Sequence, residues 1–282
     1  MKHALLALLI VPFSAGTAGA ADFATQVMEA TFKFFHPDST STCFLVKREA
    51  PDEAHYLVTA AHTMERTKGE TAIVVLRKPK GDGSYLRHDH TVSVRRGDAP
   101  LWVRNQAHDV AVLRLTEPLP VPVKALPMAA LADEEGMKAA GAHLCGQLYM
   151  LTYPQRFEAN GAGFPVARQG IFASPPLLPL PGHPTFLADF TTFAGDSGGP
   201  VFIDAGEDRP LIVGLTLAQH FFDLRVKTDY EERLTHYPLG LGVVLHAQYI
   251  RQTIEAAAKP SGDAEKKQPE MDDPKPEGRS NP

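Results

Sequence analysis

Ser197 sits in the run Thr192 to Phe202, which reads T-F-A-G-D-S-G-G-P-V-F. Gly195, Asp196, Gly198 and Gly199 surround it, and Pro200 opens an apolar run. Glycines beside a lone serine permit a tight turn that a Cβ would resist, and they aim backbone N–H groups inward. Acyl transfer needs that combination: an exposed hydroxyl beside a pocket that binds an oxyanion. A glycine-rich turn that happens to hold a serine is the plain alternative, so the reading depends on partners elsewhere in the chain.

Two further stretches supply them. Thr59-Ala60-Ala61 leads into His62, and Asp109 heads the run Asp109-Val110-Ala111-Val112-Leu113-Arg114-Leu115. With hydroxyl, imidazole and carboxylate in one set, His62 takes the Ser197 proton while Asp109 fixes the imidazole tautomer. An acid beside apolar strand residues is costly to bury unless paired, and a histidine N–H suits it. His108 adjoins that acid but would face the other way on a strand, so no catalytic role is given to it. His143, His183, His220, His236 and His246 read as surface or packing histidines. His88-Asp89-His90 shares a strand face at i and i+2, but no third or fourth ligand is placed, and no metal site is expected.

Short strands must carry these groups. Phe32 to Phe35 and Cys43 to Val46 flank the turn His36-Pro37-Asp38-Ser39, and Tyr56 to Ala61 makes a third apolar run. Ile73 to Leu76 and Thr91 to Val94 are β-branched, with Gly81-Asp82-Gly83 as a turn between them. No helix longer than a turn or two is required before residue 120. Prolines 118, 120, 122 and 127 punctuate a connector to about Gly136. A second β-rich half follows: His143 to Leu151, Phe164 to Ala173, Thr185 to Phe190, Pro200 to Ile203, Leu211 to Leu217 and Leu239 to Leu245. Tyr249, Ile250, Ile254 and Ala257 recur at helical spacing, which predicts a terminal helix over about 246–258.

The 24 prolines and 22 glycines favour many short elements over long helices. A formal net charge of −5 without a basic block argues against a nucleic-acid partner. Met1 to Ala20 reads as a signal peptide: a basic start at Lys2 and His3, an apolar run from Ala4 to Phe13 and the small residues Ala18-Gly19-Ala20. That run is too short for a stable membrane anchor, so the mature chain is expected to start at Ala21 and to be exported, periplasmic or secreted. Cys43 and Cys145 are the two cysteines, and pairing or two buried free thiols are equally open. From 259 to 282, lysines, acids and prolines alternate with almost nothing apolar except Met271, the composition of a disordered tail.

Thr59-Ala60-Ala61-His62, Asp109-Val110-Ala111-Val112-Leu113 and Gly195-Asp196-Ser197-Gly198-Gly199-Pro200 together resemble the trypsin-like (chymotrypsin-fold) serine peptidases, especially bacterial secreted trypsin-like domains. The resemblance covers roughly Thr31 to Ile254. It implies an all-β fold: two six-stranded antiparallel β-barrels, about 31–117 and 136–245, with the active site in the cleft between them and a C-terminal helix. It also implies a Ser197, His62 and Asp109 triad, an oxyanion hole from the N–H groups of Gly195 and Ser197, protein or peptide substrates and no cofactor. The α/β-hydrolase alternative needs a helix after the serine, which Pro200 and the strand-like Val201 disfavour.

Departures from the family pattern matter as much. Many members pair the acid before the serine with a freed Ile-Val-Gly-Gly amino terminus. Ala21-Asp22-Phe23 does not match, so Asp196 needs another partner or solvent. Thr63 stands where a cysteine often follows the motif histidine, so the usual bridge to the region of Cys43 is absent. For the substrate pocket, Thr191 stands six positions before the serine, where basic-specific members keep an acid, and Thr192 follows. Leu217 and Gln219 line the wall, and Gln219 would narrow or cap the pocket. Thr216 stands where glutamate-preferring members carry histidine. A small or medium uncharged side chain is the expected substrate preference. The expected function is a serine endopeptidase working through an acyl-enzyme. The alternative is a catalytically silent binding or scaffold protein on the same fold.

Overall fold

The computed structural model describes residues 22–49 and 53–259. The expected signal peptide and nearly all of the expected tail lie outside the described residues. No described helix is long and apolar enough to cross a membrane.

Helix α1 (Phe23–Ala30) opens the described chain, capped by Asp22, whose Oδ1 accepts from the Thr25 N–H at 2.8 Å. Strands β1 (Thr31–His36), β2 (Ser39–Arg48) and β3 (Ala54–Thr59) follow as a meander, and helix α2 (Ala61–Arg66) interrupts before β4 (Thr71–Pro79) and β5 (Tyr85–Ser93). The short β6 (Arg95–Arg96) and β7 (Ala99–Pro100) pair with each other, and β8 (Trp102–Arg104) pairs with β9 (Ala111–Leu115). The two-residue β10 (Leu126–Pro127) runs parallel to β2.

The first sheet therefore holds eight strands in the order β5-β4-β1-β2-β3-β9-β8, with β10 beside β2. Six of them, β1 to β5 and β9, overlap the short runs expected, although β5 starts at Tyr85, well before the expected Thr91; the three-residue β8 and two-residue β10 are additions.

After helix α3 (Glu134–Ala139), β11 (Gln147–Thr152), β12 (Val166–Ile171), β13 (Thr185–Asp189), β14 (Pro200–Asp204), β15 (Pro210–Lys227) and β16 (Glu232–His246) form the second sheet. Their order is β12-β11-β14-β15-β16-β13. A bridge between Phe172 and Ala188 joins its two ends, so the six strands curl closed as the resemblance implies. Helix α4 (Gln248–Ala258) ends the described chain, burying Tyr249, Ile250, Thr253 and Ile254.

Period-two alternation explains how the barrels meet. Cys43 and Leu45 of β2 point into the first barrel with Phe32, Phe34, Leu57, Val74 and Leu113. Phe44 and Val46, on the other face, join Val58 and Val112 in a core continuous with the second barrel's Met150, Phe202, Ile212 and Leu245. With both faces covered, β2 reads as an unbroken apolar run rather than an alternating one. The cysteines remain apart, and only one is buried as expected: Cys43 is a buried free thiol in the first barrel, whereas Cys145 is an exposed one on the second half. Burial raises the Cys43 thiol well above its ordinary value.

Two elements differ from the sequence reading. The run Tyr56 to Ala61 is not all strand, because β3 ends at Thr59 and α2 begins at Ala61, placing His62 in a first helical turn. Strands β15 and β16 run on past the barrel as a hairpin arm, paired from Phe221↔Pro238 to Lys227↔Glu232.

Candidate active site

The serine loop is held against the first barrel through Thr42 of β2. The Thr42 N–H donates to the Ser197 carbonyl at 3.0 Å. Its hydroxyl donates to the Gly195 carbonyl at 2.8 Å and accepts from the Tyr153 N–H at 3.1 Å. The glycines are required here. Gly195 has φ +100, and a Cβ on it would fall on the Tyr153 carbonyl. Gly198 has φ +83, and a Cβ would strike the Thr59 hydroxyl and the Thr42 carbonyl. Pro200 then starts β14 rather than a helix, which removes the α/β-hydrolase alternative.

The start of α2 and the loop before β9 bring His62 and Asp109 together. His62 Nδ1 lies 2.6 Å from Asp109 Oδ2, and the His62 backbone N–H donates to Oδ1 at 2.9 Å. Burial alone would raise the Asp109 carboxyl, but the hydrogen bonds from His62, with the charges of His62 and Arg104, outweigh it and hold the acid below its ordinary value. The carboxylate therefore stays ionised and keeps the proton of the pair on Nδ1, leaving Nε2 as an acceptor. Among the described residues Nε2 has no partner. His108 stacks on Tyr249 with ring centroids 3.8 Å apart, away from this pair.

Ser197 and His62 line one cavity of about 250 Å³. The Ser197 hydroxyl donates to the Leu217 carbonyl at 3.0 Å, so the expected serine–histidine hydrogen bond is not formed in this conformation. The N–H groups of Gly195 and Ser197 have no acceptor among the described residues, whereas the Asp196, Gly198 and Gly199 N–H groups all do. Two uncommitted donors beside a serine hydroxyl are the makings of an oxyanion pocket.

On the other flank, the Thr192 hydroxyl donates to the Ala218 carbonyl at 3.1 Å, tying two expected pocket segments together. Thr191 offers its carbonyl to Arg168 at 2.6 Å. Gln219 stands opposite Gly242 in the β15–β16 register, and its half-buried side chain keeps Oε1 without a hydrogen-bond partner. A Cβ at Gly242 would meet Phe190 and Thr192, so the wall is closely packed. Among the described residues, no group of three or more His, Cys, Asp or Glu side chains could hold a metal ion.

Asp196 has a partner that the sequence did not announce. Arg168 Nη2 of β12 lies 2.5 Å from Asp196 Oδ2, with 1% of the acid's side chain exposed. The same oxygen accepts from the Phe193 N–H at 2.7 Å. Arg168 also donates to the Thr152 hydroxyl at 2.7 Å. The available signal was weak: an arginine in phase with Val166 and Gly170, on the less exposed face of an otherwise ordinary strand.

A sequence profile of the trypsin-like peptidase domain matches residues 41–215, well over half of the chain. The chain belongs to the trypsin-like peptidase family. Two solved structures of Rv3671c are similar in outline: an inactive serine-to-alanine mutant from M. tuberculosis H37Rv, and a protease structure also in an inactive form. They superpose with TM-scores of 0.43 and 0.42 at 18% and 16% identity, covering 85% and 84% of this chain and 93% of each of those. At such scores the assignment of this trypsin-like peptidase rests on the family match. No protein of curated function matches it.

Proposed function

We propose that the chain is a serine endopeptidase in which Ser197 attacks a peptide carbonyl and forms an acyl-enzyme. His62 Nε2 takes the serine proton, passes it to the leaving amine and then activates the deacylating water. Asp109 holds the imidazole tautomer, and the N–H groups of Gly195 and Ser197 stabilise the oxyanion. The supporting observation is that one cavity is lined by His62, whose Nε2 is unpartnered, by Ser197 and by Gly195, with the Gly195 and Ser197 N–H groups uncommitted. For transfer, the serine hydroxyl leaves the Leu217 carbonyl and turns toward His62. Thr191, Thr192, Leu217 and Gln219 then hold the acyl side of the substrate. With a threonine at the pocket base and an amide on its wall, they favour a small or medium uncharged side chain there.

The second reading, a scaffold that does not cleave, has one observation behind it: the Ser197 hydroxyl is committed to a carbonyl rather than to the histidine. A fluorophosphonate probe separates the two. The peptidase reading expects covalent labelling of Ser197, lost in Ser197→Ala with the fold intact, and peptide hydrolysis reduced by several orders of magnitude in that variant. Folded protein that takes no label and cleaves no peptide supports the scaffold.

A further inference from the structure

We infer that the cavity beside His62 selects an acidic side chain on the leaving-group side of the scissile bond, in the first or second residue after it. The inference rests on the peptidase reading and names part of its substrate class.

Position comes first. The cavity of about 250 Å³ is bounded by His62, Ser197 and Gly195, but by none of Thr191, Thr192, Leu217 or Gln219, which hold the acyl side. Its other walls are Asp38 of the β1–β2 turn, Ser39 and Thr40 at the start of β2, and the turn at Gln155 and Arg156. In acyl transfer the histidine hands its proton to the departing amine, so the space on the histidine's flank receives the departing half of the substrate. At several times the roughly 30 Å³ that a water occupies in the liquid, the cavity admits an Asp or Glu side chain.

Charge comes second. Arg66 follows His62 by four residues on α2, one helical turn on, and so shares its face. Arg156 is fixed through its backbone: its N–H donates to the Tyr153 carbonyl at 3.1 Å and its carbonyl accepts from Lys33 Nζ at 2.8 Å. It sits at φ +68, and its exposed side chain lines the cavity. Neither guanidinium has a hydrogen bond or ion pair among the described residues, in contrast to Arg87, Arg104 and Arg168, which lie on Glu158, Glu65 and Asp196. The one carboxylate lining the cavity is Asp38; its own backbone N–H donates to His36 Nδ1 at 3.2 Å, so that nitrogen does not neutralise the acid, and His62 Nδ1 is taken by Asp109. Two uncommitted guanidiniums against one carboxylate leave the cavity short of anionic acceptors. A substrate carboxylate supplies them, with the planar two-point geometry that guanidinium matches.

Synthetic peptides with one fixed acyl-side sequence, carrying Glu, Ala or Lys at the first or second position after the cleaved bond, test this. Glu is expected to exceed Ala in kcat/KM by about two- to fivefold, the scale of an exposed ion pair. Lys is expected to fall below Ala, and the spread should shrink in 0.5 M salt, where the screening length is only a few ångströms. In Arg66→Glu/Arg156→Glu the order should reverse, read as the Glu-to-Lys ratio within the variant. Cleavage of the Ala peptide with no Glu preference, or with Lys favoured in the unaltered enzyme, overturns the inference and leaves the peptidase reading standing. Failure to cleave any peptide together with no fluorophosphonate label on Ser197 removes the peptidase reading and this inference with it.

Discussion

Asp196 is the residue on which the serine loop depends, because a carboxylate with 1% of its side chain exposed cannot remain unpaired cheaply. Arg168 compensates it from β12, so the charge balance beneath the serine is made within the second barrel itself. The pair is not saturated: Asp196 Oδ1 and Arg168 Nε are both buried without a hydrogen bond. Arg168→Met removes the cation and leaves the acid buried. The expected loss is about 3 kcal/mol of stability from the stranded charge, with a fall in kcat of about 10² as the Gly195 and Ser197 donors lose their placement. KM should move far less, and Arg168→Lys should recover part of kcat. Urea titration alongside steady-state kinetics reads both, and an unchanged kcat in folded Arg168→Met would show that the loop holds its shape without the pair.

At the scale of elements, the strands were legible wherever burial imposed a pattern. Phe32 to Phe35, Cys43 to Val46 and Leu211 to Leu217 are strands because one or both faces enter a core. The motif residues His62, Asp109 and Ser197 were legible through their spacing and neighbours. Arg168 was not, since a contact spanning 28 residues leaves no local trace, and neither were Arg66 and Arg156, which are ordinary surface residues until the fold gathers them around one cavity. The arm beyond Gln219 was missed for a different reason. It serves no core, so Phe221, Phe222, Leu224, Val226, Leu234 and Tyr237 alternate with charges without a burial pattern to sharpen them, and all six are exposed. Its turn is closed by Thr228, whose hydroxyl oxygen accepts from the Glu231 N–H at 3.1 Å, rather than by a glycine turn. Because every residue from His220 to Leu239 except Thr235 is exposed, replacing Asp223–His236 with Asn-Gly between the paired Phe222 and Tyr237 should leave the urea midpoint close to that of the full chain. A marked drop would mean the arm contributes to the barrel.

At the scale of the molecule, the outer face of the first barrel's sheet shares a buried core with the second barrel, and the serine loop sits on their seam through Thr42, so catalysis as proposed requires the whole assembly to stay closed. His246 is a weak point in that assembly under acid. It closes β16 against Phe186, with ring centroids 4.8 Å apart, is 1% exposed, and has no hydrogen bond at either ring nitrogen. Burial, with a smaller contribution from the nearby His183, pushes its pKa down to about 4 from an ordinary 6.5. The folded state thus holds it neutral while the unfolded chain takes up a proton as pH falls below about 6.5. Between there and pH 4 the unfolded state binds more protons, so stability is full above the window and declines through it, by about 3 kcal/mol for this residue. Replacing it with phenylalanine removes the titrating group and two orphaned polar atoms together. Urea unfolding at pH 7, 5.5 and 4 should show the natural chain losing about 3 kcal/mol more than His246→Phe over that range, with the two close at pH 7. Parallel acid profiles would mean that His246 finds a proton acceptor when the fold is acidified.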